Sequence, residues 1–419
     1  MLDSLRNAWK IPDLRKRFLF TLAMFLVFRV GTHIPVPGLD PAAIEQLFQG
    51  GTIFGFLDLF SGGALSRLSI FALNIYPYIT ASIIMTLLTI IVPSLEKLSK
   101  EGGEEGRKKM SQYTRYATVL LAFVNALGLS FTLRGAVVNW GFFSATVIIT
   151  TLIAGTVFLM WMGEQITEKG IGNGISLMIF AGIVSRLPIG FINIVTYLRT
   201  GRINIFNLLL LAALGAVIIA AVIVIQEGTR RIPVQYAKRV VGRKVYGGQS
   251  THIPIKVNQA GVIPIIFASS VLAFPLTLAQ FVPNKYVQAA ANHLAFGTWL
   301  NSILYVTMII FFTYFYTAIT FNPIQVADNM KKYGGFVPGL RPGRPTADYL
   351  NRVLMRITLV GAVFLAIIAV FPDLFAGLTG IPGISFGGTS LLIIVGVATE
   401  TMRQIEAQML MRHYQGFLK

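Results

Sequence analysis

Apolar runs of roughly 20 residues recur along the whole chain, and this feature constrains its fold more than any other. Each run is long enough to cross about 30 Å of hydrocarbon as an α-helix. Only 12% of the residues are charged, about half of the usual share in a soluble domain. The pattern predicts an all-α polytopic membrane protein, and the first run is a span because no small-residue cleavage site follows it. The ten predicted spans are 18–36, 70–92, 114–133, 142–163, 173–190, 205–226, 258–282, 298–322, 351–371 and 384–408.

Positive charge predicts the orientation of these spans, because loops rich in Lys and Arg stay on the cytoplasmic side. Such residues crowd the N-terminal segment and the loops 93–113, 227–257 and 323–350, whereas the loop 37–53 has none. Three arginines between the fifth and sixth spans run against the trend. The majority of the charges predicts that both termini and most of the net charge of +18 face the cytoplasm.

Two of the basic loops are longer than orientation requires, since connections between bundle helices usually run about 2–8 residues. The loop 227–257 alternates apolar and polar residues around VGRK, which predicts a β-hairpin, and the loop 323–350 is rich in Gly and Pro. Solvated loops held near anionic lipid headgroups are one interpretation. A docking site for a large acidic cytosolic partner is the sharper one. The candidate docking residues are Arg239, Arg243, Lys244, Arg341 and Arg344.

The last predicted span of each half of the chain starts with a similar glycine-containing segment. Span five opens with GIGNGIS and span ten with FGGTS. Because each half has an odd number of spans, the halves are expected to lie inverted in the membrane, as in inverted-repeat pores and transporters. The expected parts are a cytoplasmic segment 1–17, an N-terminal half 18–190, an outer connection 191–204, a C-terminal half 205–408 and a cytoplasmic tail 409–419.

Residues that could carry catalysis or bind a metal form no recognisable motif. The four histidines are scattered, none at metal-ligand spacing, and HExxH and a phosphate-binding loop are missing. We therefore expect no enzyme activity, no metal and no cofactor. Two functions fit a helical protein with inverted halves: a pore, or a secondary transporter of a small solute. Transporters usually keep ionisable residues near the midplane, whereas the predicted spans have few, and Arg29 is more typical of a structural or snorkelling side chain.

The stretch LFSGGALSRLSIF, residues 59–71, is unusual for the mouth of a membrane span. It is amphipathic, has the paired glycines Gly62 and Gly63, and carries Ser61, Ser66 and Arg67. Lipid would exclude such polar groups, so the stretch is expected in a wet or protein-lined place.

Several long segments resemble the SecY family of bacterial protein translocase subunits. They occur in the order expected for that family and extend through essentially the whole chain. The segments are SGGALSRLSIFALNIYPYITASII, KKMSQYTRY, FLMWMGEQITEKGIGNGISLMIFAGIV, QSTHIPIKVNQAGVIPIIFASS, FNPIQVADNMKKYGGFVPGLRPG and FGGTSLLIIVGV.

The resemblance implies a protein-conducting channel with an outer plug and a narrow aliphatic ring. The plug would be a short helix at about 54–67, with Leu59, Phe60, Ser61, Gly62, Gly63, Ala64, Leu65, Ser66 and Arg67 at its centre. The matching ring positions are Ile75, Ile79, Ile175, Ile179, Ile266 and Ile393. A lateral gate is implied where spans two and three face spans seven and eight. The pair Asn258–Gln259 opens span seven, and either a place in the gate or a helix-capping role fits it.

The resemblance also implies partners and a location. The partners would be the membrane subunits SecE and SecG, the SecA motor ATPase or a translating ribosome, signal sequences and preproteins, and the phospholipid bilayer. No specific nucleic-acid sequence is expected to bind. The location would be the plasma (inner) membrane.

Overall fold

The chain folds into a bundle of long helices with a small antiparallel sheet at one end. The computed structural model describes residues 9–39, 61–137, 139–201, 204–236, 239–241, 244–246, 250–279, 286, 293–294, 298–379 and 388–416. Its α-helices are α1 (Pro12–Gly31), α2 (Tyr76–Ile91), α3 (Pro93–Glu101), α4 (Gly103–Thr132), α5 (Phe142–Lys169), α6 (Gly174–Val184), α7 (Leu187–Arg199), α8 (Ile205–Glu227), α9 (Ile263–Ala279), α10 (Trp299–Thr320), α11 (Pro323–Lys332), α12 (Arg344–Thr379) and α13 (Gly388–Gly416). Its strands are β1 (Thr229–Tyr236), β2 (Arg239–Val241), β3 (Lys244–Tyr246), β4 (Ser250–Lys256) and β5 (Gly335–Phe336).

Local chemistry explains several helix boundaries. The Asn173 side-chain oxygen accepts hydrogen bonds from two backbone amides in the first turn of α6, and the Asn322 side chain does the same for α11. These are N-caps, which satisfy amides that have no partner inside the helix. Pro93 restricts Val92 to an extended conformation, so α2 ends there and α3 leaves at an angle of 106°.

Six described helical segments are long and apolar enough to cross a membrane, two of them made of consecutive helices, α6 with α7 and α10 with α11. Helix α2 with the first residues of α3 makes a seventh, bent candidate. Three predicted spans fall outside this set for visible reasons. Helix α1 carries three consecutive basic residues, Arg15, Lys16 and Arg17, near its start. Helix α9 is described over only 17 residues, and α13 carries Glu400, Arg403 and Glu406. The multi-span helical class is confirmed, whereas the count of ten spans and the inverted halves stay predictions.

Several helices differ in extent from the predicted spans. Helix α2 begins at Tyr76 and not at residue 70, because residues 70–75 form turns in which Asn74 is left-handed. Helix α4 begins eleven residues before the span predicted from residue 114. The predicted outer connection 191–204 overlaps α7, which follows a break at Ser185 and Arg186. Apolar content therefore covers only part of α4, whereas before α2 it continues past the end of the helix.

The hairpin predicted in the loop 227–257 is present. Strands β1 and β4 pair antiparallel from Thr229 opposite Lys256 to Gln235 opposite Ser250, and β2 pairs with β3. Strand β5, from the other long loop, joins the opposite edge of β1. The two loops also share a buried apolar cluster that includes Ile232, Val234, Met330 and Leu350. They therefore form one folded unit, which the sequence did not predict.

The main core lies between the helices of the two halves. Its buried residues come from α1, α2, α5, α6, α8, α9, α10, α12 and α13. On one side of it, α9 contacts α2 and α4. Near this core, residues 61–75 form a series of turns that bring the paired glycines against the end of α6.

Candidate functional site

The six isoleucines singled out in the sequence all belong to the main core. Ile75 is the N-cap of α2, and Ile79 lies in its first turn. Ile175 and Ile179 lie on α6, Ile266 on α9 and Ile393 on α13. Four of them are buried, and Ile175 and Ile266 are partly buried against the same cluster. Four helices from both halves thus bring aliphatic side chains of one residue type into one apolar cluster.

A glycine on α5 shows how closely two of these isoleucines approach. A Cβ at Gly163 would lie 3.2 Å from Ile175 Cγ1 and 3.7 Å from Ile75 Cδ1. The side chains of Ile75 and Ile175 therefore meet over the same bare backbone. Gly174 also lies against this point, since a Cβ there would be 1.9 Å from the Gly163 carbonyl oxygen. Sequence reasoning missed Gly163, because an isolated glycine inside a long helix has many explanations.

In the described part of the expected plug, Ser61 is helical and residues 62–67 form turns. Leu59 and Phe60, and residues 54–58 before them, lie outside the described residues. Gly62 and Gly63 have φ values of 67° and 90°, a region that favours glycine. A Cβ at Gly62 would lie 3.1 Å from the Gly182 Cα and 2.7 Å from Ser185 Oγ. The paired glycines therefore let the turn lie directly on the end of α6.

Polar groups of the turn are satisfied within the protein. Ser61 is buried, and its Oγ accepts a hydrogen bond from the Leu65 amide at 3.2 Å. Ala64 belongs to the same core as the isoleucines, whereas Leu65 packs in a second cluster. Ser66 Oγ donates to the Gly63 carbonyl oxygen at 3.2 Å. The turn is thus held by apolar packing on one side, and the serine hydroxyls form hydrogen bonds within the protein.

Arginines reach the turn from two neighbouring elements. Arg29 on α1 donates to the Gly62 carbonyl oxygen at 3.2 Å. Arg186, which precedes α7, donates to Ser66 Oγ at 3.3 Å. Arg67 itself is exposed and donates to Nε2 of His33. Arg29 therefore has the structural role that the sequence favoured over a substrate site.

Four of the five candidate docking residues lie in described parts of the two long loops. Arg341 and Arg344 are both exposed, and the Arg341 carbonyl oxygen accepts a hydrogen bond from Thr346 Oγ1 at 2.8 Å. Arg239 lies in β2 and Lys244 in β3, on either side of the hairpin tip. Arg243 lies outside the described residues. The backbone near Arg341 is held by this hydrogen bond while its side chain reaches solvent.

Asn258 and Gln259 lie just before α9. The Asn258 amide nitrogen donates to the Gly261 carbonyl oxygen at 3.0 Å, so the side chain does not cap the helix by accepting from an amide. Among the described residues, no cluster of three or more His, Asp and Glu side chains could hold a metal ion. The site therefore consists of an aliphatic cluster, a glycine turn and polar amides.

Comparisons with known proteins agree on one family. The SecY family profile matches residues 69–402. The protein translocase subunit SecY of Aquifex aeolicus is 46% identical over 429 residues, which cover 100% of both chains. The Thermus thermophilus SecY is 47% identical over 434 residues, covering 100% of this chain and 98% of that one.

Solved structures share the fold. One described as a protein conducting channel has a TM-score of 0.69 at 20% identity and covers 94% of this chain and 92% of its own. Sec61 in the canine ribosome-channel complex has a TM-score of 0.65 at 19% identity, covering 94% of this chain and 92% of that one.

A multi-span helical bundle with this fold and these relatives is a protein-conducting channel of a membrane, and not an enzyme. The chain belongs to the SecY family of protein translocase subunits. The alternative of a small-solute transporter finds no support among the relatives.

Proposed function

We propose that the six isoleucines form the constriction of this channel and that residues 54–67 plug it from outside. The observation that carries the proposal is their convergence: side chains from α2, α6, α9 and α13 share one apolar cluster with Ala64 of the turn. The glycine turn resting on α6 supports a segment that can seat against the cluster and leave it again. Preproteins would pass unfolded through the ring.

A ring of isoleucine suits a channel that accepts any sequence. It offers no fixed polar partner, so it can yield to each passing side chain. An apolar constriction also disfavours a continuous water column and so limits ion leak. The plug adds a second seal, so the loss of either the plug or the ring alone would leave the channel partly closed to ions.

The seam between α9 and the pair α2 and α4 is the proposed lateral gate. Contacts between these helices join the two halves of the bundle on one side. Opening this seam would give a signal sequence or a nascent membrane helix access to lipid, where about 20 apolar residues are stable. Spans two, three and seven correspond to the three helices, and span eight, α10, packs beside α9.

Orientation and partners extend this proposal. Membership of the SecY family favours the plasma membrane as the location, and the charge pattern favours cytoplasmic termini. The unit formed by the loops 227–257 and 323–350 would then face the cytosol. SecE and SecG are the proposed membrane subunits. The exposed arginines of that unit would dock the SecA motor or a translating ribosome, and their charge suits acidic partner surfaces. The ribosome complex of the related Sec61 supports this use of the surface.

Deleting residues 58–66 tests the proposal. We expect the protein to assemble with SecE and SecG and still to translocate preprotein with SecA and ATP. It should also conduct ions at rest and transport preproteins with defective signal sequences, because the closed state has lost contacts that the open state does not have. If the segment is only a capping element of the outer face, the deletion lowers yield and leaves the resting conductance in planar bilayers unchanged. A silent baseline in well-assembled protein contradicts the plug.

A further inference from the structure

A polar cavity of about 340 Å³ lies where α8, α10 and α13 meet the segment that leads into α9. Four carboxamide side chains line it: Gln226, Asn258, Gln259 and Gln404. The charged residues of its wall are of both signs, Lys256, Glu400 and Arg403. This mixture does not favour an ion of either charge, and the concentration of amides is its distinguishing chemistry.

The cavity lies one helical turn from the proposed constriction. On α9, Ile263 lines the cavity and Ile266 belongs to the ring. On α13, Gly396 lines the cavity and Ile393 belongs to the ring. A separation of three residues is about 4.5 Å along a helix. The cavity lies towards the start of α9 and the end of α13, on the proposed cytoplasmic side of the ring. A preprotein coming from the cytosol would therefore meet the cavity just before the ring.

Two amide oxygens of this wall accept no hydrogen bond from the described residues. They are Oδ1 of Asn258 and Oε1 of Gln259. Asn258 is 5% exposed, and its amide nitrogen is already used by the Gly261 carbonyl. Unsatisfied buried acceptors are destabilising, and native structures retain few of them. Both oxygens are shielded from water, whereas both residues line the cavity. Rotation of either side chain would bring its oxygen into the cavity, where it would accept a hydrogen bond from a bound donor.

The opposite wall is organised by Gln226 and Arg403. Arg403 donates to the Gln226 carbonyl oxygen at 3.0 Å, which ties α13 to the end of α8. A Cβ at Gly396 would lie 2.8 Å from the side-chain nitrogen of Gln226, so this amide lies against bare backbone and lines the cavity. The lining therefore offers both a carboxamide donor, from Gln226, and carboxamide acceptors, from Asn258 and Gln259.

We propose that this cavity binds the peptide backbone of the polypeptide in transit. Asn258 and Gln259 would accept hydrogen bonds from its N–H groups, and Gln226 would donate to its carbonyl oxygens. Carboxamides carry both functions, and the backbone is the only hydrogen-bonding group that every preprotein shares. Binding there keeps an extended segment aligned with the ring whatever its side chains are. The inference rests on the proposed function of the isoleucine ring.

Backbone substitution in the preprotein tests this inference without altering the channel. A preprotein with a folded C-terminal domain is stalled in the assembled complex. The channel carries a photoreactive residue at position 404, in the cavity, or at position 79, in the ring. Two preproteins are compared, one with ordinary amides and one in which about ten successive amides near the ring are esters, which lack the N–H donor. We expect crosslinking at 404 to fall about fivefold with the esters, the effect of losing about one net hydrogen bond. Crosslinking at 79 should stay the same.

Channel variants give a second, independent reading. The double substitution Asn258→Leu with Gln259→Met should lower crosslinking of the amide preprotein at 404 to the level of the ester preprotein. Gln112→Met, an exposed change on α4, should leave it unchanged.

Equal crosslinking of the two preproteins at 404 overturns the backbone site, as does crosslinking at 79 with none at 404, and in both cases the ring proposal stands. Absence of crosslinking at both positions removes the proposed function and the inference with it.

Discussion

Gly62→Ala should unseat the plug turn while leaving the rest of the bundle intact. Gly62 combines a φ of 67° with close contact to the end of α6. A Cβ there would lie 3.1 Å from both the Cα and the carbonyl oxygen of Gly182. These are backbone atoms in the last turn of a helix and cannot move aside easily. The strain therefore falls on the turn, which can relieve it by leaving its seat.

The expected magnitude follows from two contributions. An L-residue in the left-handed region costs about 1–2 kcal/mol, and forcing extra volume into a packed site typically costs about 1–3 kcal/mol. A loss of about 2 kcal/mol from the closed state alone raises the ratio of open to closed plug about thirtyfold, since every 1.4 kcal/mol is about a factor of ten. The open plug has left the contact, so the strain is absent from that state.

Resting conductance of the assembled complex in planar bilayers is the assay. Gly62→Ala should raise the frequency of ion-conducting events in the absence of preprotein. The matched control is Gly38→Ala, which has a φ of 86° with no atom within 4 Å of its Cβ position, so it adds backbone strain without the contact. Equal leak from Gly62→Ala and Gly38→Ala, or a silent Gly62→Ala channel of normal assembly, refutes the reasoning.

Three further predictions concern the docking surface, the orientation and the ring. Arg341→Glu should block SecA-driven transport in protein that still inserts and assembles, because like charges at a docking contact cost several kcal/mol; normal preprotein translocation would remove Arg341 from that role. In a chain without native cysteine, Val240→Cys should react with an impermeant thiol reagent only in inverted vesicles, and labelling from outside intact cells would contradict the orientation. Ile79→Gly and Ile266→Gly should widen the constriction, and Ile266→Lys should hydrate it, so all three should increase ion leak; unchanged conductance would place these residues in an ordinary core.

The apolar runs and motifs were enough to predict the helical membrane class, the family and the hairpin. They were also enough to select six isoleucines that the fold brings into one cluster. Each of these rests on local information: the length of a run, an alternation around VGRK, or a motif that matches as a whole. The convergence of Ile75 with Ile393 was implied only by the resemblance, since spacing relates residues within one helix.

Features that join distant parts of the chain were not predictable in the same way. Strand β5 pairs with β1 about 100 residues earlier, and the apolar residues of the two loops cover each other only after that pairing. The predicted start of α2 is too early because residues 70–75 form turns, with Asn74 left-handed, which apolar content does not indicate. The amide cavity is built from side chains of four separate elements, so only the pair Asn258–Gln259 could be noticed in the sequence.

The most direct test of the account is disulfide crosslinking between the ring and a chain in transit. A preprotein with one cysteine is stalled in the complex, and the channel carries Ile79→Cys, Ile266→Cys or the control Val217→Cys on the exposed face of α8. We predict that both ring cysteines form disulfides with the stalled preprotein, that these appear only with SecA and ATP, and that the control cysteine forms none. Crosslinking at the control position with none at 79 or 266 would contradict passage through the isoleucine ring.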